Sequence, residues 1–441
     1  MIGSNNCRHD CHETAKVHTT TLKRQEIPLI APRKTNNWVI VVLLLLSVSI
    51  NYIDRGSLSV AAPLLKEEFS LGPTQLGYLL SAFFWSYTLC QLVVGWLVDR
   101  YDVKWVYAAG FLLWSLAMAA TGWVNSFTAL FAARLVLGIG ESVFLPSVSK
   151  ILVRLFPAER RGLPNALVDV GTKIGPFLST LLGGLLIKSC GWRALFVGVG
   201  LGSLLWLLPW FITMPSDRDR GKQKRVAGPG MMEILSRREA WGTSLGMFTL
   251  GYAWVFLLTW LPSYLIKERN YSMEQMAVLG SLPFLGMAAA TLTGGWASDR
   301  WIAQGYTPTF VRKTFAVTGL LLCGCLMLPA AFVADASLSL GLLIASSVSL
   351  GIFTSNVWAI TQTLSGAEAA GKWTGIQNFI GNLGGVISPI IAGFIVEQTG
   401  SFFLAFGAAA GMLVLGAMSY LLLVPKVEPL VWSCTERAAQ A

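Results

Sequence analysis

Histidine is almost missing from this chain of 441 residues: there are three, His9, His12 and His18, and all precede the first apolar stretch. No imidazole is at hand to titrate in apolar surroundings, so a proton moved there must ride on a carboxylate. Charge is scarce as well, at 13% of residues against roughly 25% in soluble domains, which excludes an ordinary water-solvated domain. Seven cysteines, at 7, 11, 90, 190, 323, 325 and 434, repeat no spacing, which argues against a disulfide framework or a zinc site. The tract Cys7-Arg-His-Asp-Cys-His12 is too short and isolated to supply a folded cage and is read as polar tail; no metal and no cofactor is expected. Glycine pairs at 183–184, 294–295 and 384–385 lack the Lys-Ser/Thr of a nucleotide loop and read as close helix packing through small residues.

What the chain has is apolar length. Hydrophobic residues make up 54% of it and fall into blocks long enough for a helix to cross a hydrocarbon core of roughly 30 Å. The blocks lie at 38–63, 75–98, 104–124, 127–151, 163–188, 192–213, 241–266, 275–298, 311–333, 337–362, 372–396 and 401–424, an even number that puts both termini on one side. Most of the 33 Lys and Arg residues lie in the two tails and the even-numbered loops, with a cluster at Arg218, Arg220, Lys222, Lys224, Arg225, Arg237 and Arg238. Only Lys66, Lys188, Arg193, Lys267 and Arg269 fall in odd-numbered loops. Basic residues are retained in the cytoplasm during insertion, so both termini are expected there, and the net charge of +10 reflects topology rather than nucleic-acid binding. The first block follows a long polar stretch without a small-residue cleavage site, so no signal peptide is read. The expected organisation is a tail (1–37), a six-helix bundle (38–213), a cytoplasmic linker (214–240), a second six-helix bundle (241–424) and a tail (425–441).

The chain also repeats itself. A shift of 200 residues aligns Gln75 with Gln275, Leu79 with Leu279, Ser81 with Ser281 and Phe84 with Phe284, and continues through Gly95-Trp96-x-x-Asp99-Arg100 and Gly295-Trp296-x-x-Asp299-Arg300. A looser match at 210 residues pairs Gly171 and Gly175 with Gly381 and Gly385, and one deletion later Gly184 meets Gly393. Helix 2 is therefore the counterpart of helix 8, and helix 5 of helix 11. Duplicated six-helix units are a route to alternating access, in which two bundles rock about a site near the bilayer midplane.

The run Gly95-Trp-Leu-Val-Asp-Arg-Tyr-Asp-Val-Lys104 resembles the helix 2–3 loop motif of the major facilitator superfamily, with Asp102 standing where that motif usually has Gly. Asn51-Tyr-Ile-Asp-Arg55, Phe84-Trp-Ser-Tyr-Thr-Leu-Cys-Gln91, and Arg134-Leu-Val-Leu-Gly-Ile-Gly-Glu141 followed by Pro146 are similar to the anion:cation symporters of that superfamily. Members of this family include proton-coupled importers of galactonate, glucarate and hexuronates. The resemblance covers nearly all of residues 38–424. It implies an all-α membrane protein of twelve transmembrane helices in two six-helix bundles, the major facilitator fold. It also implies a latch at the cytoplasmic helix ends, to which Asp99, Arg100, Asp299 and Arg300 would belong.

Ionisable side chains at bilayer depth are costly, so each is a functional candidate unless a partner neutralises it. Six stand out: Asp54, Arg55, Arg134, Glu141, Asp169 and Lys173, all in the first half. Asp169 and Lys173, four apart, share one helix face, and a self-neutralising pair stands as an alternative to a cavity-facing Lys173 that would favour a second carboxylate on the substrate. Arg134 and Glu141, seven apart, are too distant for easy contact, so Arg134 is expected to serve as structural charge, facing Asp54 or another carboxylate. Arg55 offers a planar fork of donors that suits a carboxylate, and both this chemistry and the resemblance assign it the substrate anion. Asp54 and Glu141 are the expected proton carriers, with an unprotonated Glu141 competing for the cations and protonation freeing Arg55. The resemblance adds Tyr52, Tyr87, Ser355, Trp358 and Asn378 as neutral substrate contacts. It aligns Thr172 with a helix 5 Gln frequent in sugar-acid importers.

The expectation is a secondary active transporter, not an enzyme. It would import an organic anion, a sugar acid or related carboxylate, by proton symport, as a monomer in a cell membrane, the bacterial inner membrane fitting best. A proton-coupled exporter of drugs or amphiphiles is the alternative; the cationic Arg55 weighs against it. A membrane enzyme or sensor would need intramembrane histidine, metal clusters or a sizeable soluble domain.

Overall fold

The structure is a computed structural model that describes residues 37–156, 162–216 and 229–432. The Cys7–His12 tract, the basic residues Arg218 to Arg225 and the chain after residue 432 lie outside the described residues.

In hydrocarbon every backbone N–H and C=O must be satisfied within its own segment, so spanning segments rich in Leu, Val, Ala and Phe fold as helices. Ten stretches among the described residues are long and apolar enough to cross a membrane. One of these, 167–213, holds two helices joined at Gly191, whose φ of 79° ends the first of them. The helix Pro73–Arg100 completes the set. In chain order the helices are α1 (Asn37–Glu68), α2 (Pro73–Arg100), α3 (Val103–Thr121), α4 (127–155), α5 (162–190) and α6 (192–213). The second half follows with α7 (Arg238–Lys267), α8 (273–303), α9 (Pro308–Phe332), α10 (336–365), α11 (367–399) and α12 (Phe403–Leu423). Gly366, with φ 61°, makes the turn between α10 and α11.

Short polar side chains start many of these helices by accepting from the first free N–H groups. Ser126 takes Ala129, Ser272 takes Gln275, Thr307 takes Phe310 and Asp335 takes Leu338. Asp102, at the position where the helix 2–3 motif usually has Gly, caps α3 by accepting from the Lys104 N–H at 3.0 Å.

The 200-residue repeat is visible in the turns. Ser70 (φ 51°) and Asn270 (φ 56°) both take the left-handed conformation, and two residues later Gly72 and Ser272 donate their N–H to Gln75 and Gln275 at 2.9 and 3.0 Å. Within the halves, α1 packs on α5 and α2 on α4, as α7 packs on α11 and α8 on α10. Between them, α1 meets α7, α2 meets α11 and α5 meets α8.

These two outer seams are made at equivalent places. A Cβ on Gly393 would come within 3.3 Å of Gly77 Cα, and one on Gly184 within 2.5 Å of Ala277 Cβ. Gly184 and Gly393, like Gly77 and Ala277, are repeat partners. All four lie at the end of the bundles far from the described termini, where Glu397 also accepts from the Thr74 N–H at 3.1 Å and Lys188 pairs with Glu274. The halves are thus clamped together at the far end.

Candidate functional site

Glycines place the two charged helices of the first half. On α4, a Cβ at Gly138 would strike the Phe83 carbonyl of α2 at 2.4 Å, and one at Gly140 the Trp114 N of α3 at 2.7 Å. The run Gly-Ile-Gly-Glu141 therefore wedges α4 between α2 and α3. The helix breaks just past Glu141, between its pieces Phe127–Glu141 and Phe144–Leu155. Pro146 has no N–H for the Ser142 carbonyl four residues earlier, which accounts for the break.

Arg55, at mid-α1 and buried, reaches across to this point. Its Nε donates to Glu141 Oε2 at 2.8 Å, and Glu141 is wholly buried. The guanidinium carbon lies 4.5 Å from the Tyr52 ring centre and 4.6 Å from those of both Phe83 and Tyr87. Three ring faces around one cation supply an attraction that a neutral apolar wall would lack. Tyr52 and Tyr87, expected from the motifs, are thus brought to Arg55. Phe83 was not among the expected residues; its signal is its place one helical turn before Tyr87, where its ring stacks on Tyr87 at 5.2 Å.

Asp54 is 1% exposed, and neither of its carboxyl oxygens has a hydrogen-bond partner. Arg134, expected to face Asp54 or another carboxylate, meets the Asp54 main-chain oxygen instead, at 3.4 Å, with its guanidinium 5.7 Å from the Phe83 ring centre. Its charge still acts on both Glu141 and Asp54. Two guanidinium and two carboxyl groups therefore share one buried cluster.

On α5, the close approach of Gly175 to Tyr52, where a Cβ would lie 2.4 Å from Tyr52 Cβ, sets Lys173 and Asp169 beside α1. Lys173 is buried and its Nζ pairs with Asp169 Oδ2 at 2.6 Å. The self-neutralised pairing weighed for these residues is the arrangement present. Thr172 turns its hydroxyl back to the Asp169 carbonyl at 2.7 Å.

The second half contributes amides and hydroxyls. Asn378 and Asn382 of α11 donate to Gln91 Oε1 of α2 at 2.9 and 3.4 Å, bridging the halves one turn beyond Tyr87. Gln91 closes the motif Phe84–Gln91 but was not singled out from the sequence. Ser355 bonds to the Ile352 carbonyl of its own helix at 2.6 Å and accepts from Asn356, whose Oδ1 takes Ser298 of α8. Trp358 is half-buried against the core. Neither Ser355 nor Trp358 is joined to the Arg55 cluster by a hydrogen bond. Of the expected latch, Arg300 lies exposed over Trp296, at 5.5 Å from its ring centre, and Asp299 acts on Arg312 of α9. Arg100 is exposed at the end of α2, and the side chain of Asp99 is outside the described ones. Among the described residues no group of three His, Cys, Asp or Glu is placed to hold a metal ion.

Comparison with known proteins bears on this arrangement. The family model described as Major Facilitator Superfamily matches residues 44–389. A probable galactarate/D-glucarate transporter of Bacillus subtilis is 30% identical over 433 residues, covering 91% of this chain and 95% of the relative. A D-galactonate transporter of Escherichia coli is 28% identical, covering 91% and 99%. Among solved structures, a bacterial homologue of the human lysosomal transporter Spinster, inward-facing and occupied, superposes with a TM-score of 0.74 at 18% identity, covering 90% of this chain and 98% of that one.

Proposed function

This chain belongs to the Major Facilitator Superfamily, and from that premise we propose that it imports an organic anion, a sugar acid or related carboxylate, by proton symport. The observation that carries the reading is the Arg55–Glu141 pair inside the ring of Tyr52, Phe83 and Tyr87, with the unpartnered Asp54 beside it. Arg55 presents a carboxylate-binding fork whose resident partner, Glu141, is itself a carboxylate. A substrate anion competes with Glu141 for the same donors.

Charge balance then couples the two solutes. With all four groups ionised, Arg55, Arg134, Asp54 and Glu141 sum to zero, and uncompensated charge at this depth is expensive. A monoanion bound to Arg55 leaves an excess negative charge, which one proton on Glu141 or Asp54 cancels. The loaded cluster is neutral again and can be carried through the apolar part of the cycle. Asp54 is placed to hold the proton because no hydrogen bond favours its ionised form.

The moving units in this reading are the bundles 38–213 and 241–424. With the termini in the cytoplasm, the clamp at Glu397–Thr74 and Lys188–Glu274 closes the outer face. Tyr52 and Tyr87 line the anion; Asn378 reaches it from α11 once Gln91 lets go. Ser355, Trp358 and Thr172 join only after their present intrahelical or core contacts are exchanged, while Lys173 stays with Asp169. Asp99, Arg100, Asp299 and Arg300 act at the cytoplasmic ends in the opposite state.

The test is uptake of labelled D-galactonate and D-glucarate into proteoliposomes, with and without an inward proton gradient. Gradient-stimulated accumulation with alkalinisation of the outer medium supports symport. Efflux of the acids or of an amphiphile driven by the gradient, with no uptake, overturns it in favour of export.

A further inference from the structure

Away from the Arg55 cluster, at the far end of the seam, the two halves line a partly open cavity of about 300 Å³. Lys66 at the end of α1 and Lys267 at the end of α7 both line it, and the two ammonium groups lie close enough to act on each other. Trp260 and Ser263 line it from α7. Both residues are at least 98% buried, and neither the indole Nε1 nor the hydroxyl has a hydrogen-bond partner.

Each of these features costs free energy as it stands. Like charges facing each other repel, and a buried donor without an acceptor has given up its water without replacement. One guest cures both faults: an anion between the ammonium groups whose remaining oxygens accept from the indole and the hydroxyl. The acidic groups nearby offset the repulsion only in part. Glu67, which is exposed, acts on Lys267, Glu268 lines the cavity with its Oε1 accepting from the Phe402 N–H at 3.0 Å, and Glu397 accepts from the Thr74 N–H; none of them accepts from the indole or the hydroxyl. The free oxygen of Glu268 is an acceptor for a hydroxyl.

We propose that this cavity is a second anion site, which takes a small hydroxylated carboxylate at the outer end of the seam. Its volume is at the lower end of ordinary ligand pockets, which suits a molecule of sugar size. The choice of a hydroxylated carboxylate rests on the transport reading above; the cavity and its unpaired donors do not. Because the site lies between α1 and α7, it is made by closure of the far end. An anion held there stabilises the clamped state.

Equilibrium dialysis of labelled D-galactonate and D-glucarate tests this, on the full chain in phosphatidylcholine nanodiscs. Wild type should bind two molecules of the preferred acid per chain. The Lys66→Gln/Lys267→Gln protein should retain one site, the Arg55→Gln protein the other, and Lys66→Arg/Lys267→Arg should keep both. Trp260→Phe/Ser263→Ala, which preserves shape, should weaken one site about tenfold. Complete loss of binding in Arg55→Gln, with one site in wild type, overturns the outer site and leaves the central one standing. Unchanged binding in Arg55→Gln together with complete loss in the lysine variant overturns the central assignment instead. No binding of either acid to wild type overturns both. Loss of the outer site alone on adding phosphatidylglycerol identifies the lipid phosphate as the competing source of the same anionic group.

Discussion

Arg55 on α1 and Glu141 on α4 are joined at 2.8 Å, Nε to Oε2, in a setting where Glu141 has no exposed surface and Arg55 is all but buried. A pair so placed gives each partner a reason to exchange. The cation gains nothing by staying with a protonated Glu141, and an arriving carboxylate gains a ready-made fork.

Glu141→Gln mimics the protonated state permanently. Arg55 is then free at every pH, so substrate binding and exchange should persist while accumulation driven by a proton gradient is lost. In wild type, uptake should rise as the outer pH falls, because protonation of the cluster accompanies substrate entry. Counterflow and gradient-driven uptake measured side by side check this. A Glu141→Gln protein that still concentrates substrate with the wild-type pH profile would remove Glu141 from the proton path.

Arg55→Lys keeps the charge but replaces the planar fork, which is also stacked among three rings, with a point charge. A charge-assisted hydrogen bond contributes about 1.5–3 kcal/mol, so substrate affinity should fall about 10- to 100-fold. Titration of labelled substrate onto the purified protein gives the ratio. Affinity within twofold of wild type would show that the anion does not use the fork.

Much of this arrangement was legible before any coordinates. Apolar block length gave the helices, because bilayer thickness sets it; the 200-residue shift aligned Gln75 with Gln275, which sit in the equivalent turns after Ser70 and Asn270, and the looser 210-residue match paired Gly184 with Gly393 across the seams. The charged cluster announced itself because Asp54, Arg55, Arg134 and Glu141 have no business in hydrocarbon without a role. Pairing was harder to read. Which of two cations meets Glu141 depends on the rotation of α1 against α4, set by Gly138 and Gly140 packing on neighbours far away in sequence. Phe83 and Gln91 were missed because an aromatic or an amide on a membrane helix looks like packing until its partner on another helix is known.

Lys173 already has its charge met by Asp169 at 2.6 Å. Lys173→Gln should therefore slow D-galactonate and D-glucarate uptake by the same factor, since a neutralised ammonium offers nothing special to a second carboxylate. The ratio of initial rates for the two acids is the measurement. A loss confined to the dicarboxylate would show that Lys173 leaves Asp169 for the substrate.

Close packing of α5 on α1 makes a sharper claim about stability. Alanine at Gly175 would put a methyl group 2.4 Å from Tyr52 Cβ, with backbone behind it, whereas Gly198 has nothing within 4 Å. Overpacking of this kind costs about 1–3 kcal/mol, so Gly175→Ala should unfold at a visibly lower temperature and Gly198→Ala should not. Because α1 must shift to make room, Arg55 also moves relative to Glu141, and substrate affinity should fall with stability. Thermal unfolding of both variants in one detergent decides the matter. Equal melting temperatures would mean that the α1–α5 contact is looser than the geometry requires.

The clamp at the far end must open once per cycle if the halves rock. Lys188 and Glu274 pair across the seam and are both exposed, so cysteines at these two positions in a background lacking the other cysteines should be joined by a short bis-methanethiosulfonate reagent, which spans the reach of the two lost side chains. A link there holds α5 against α8. Uptake should then stop, and a reductant should restore it, while each single cysteine should transport normally before and after treatment. If the site fills from the end opposite the clamp, as proposed, cross-linked protein should still bind substrate. Full transport by quantitatively cross-linked protein would mean that this seam is a fixed hinge, and the outer path would have to open along α2 and α11 instead, where Glu397 now accepts from the Thr74 N–H.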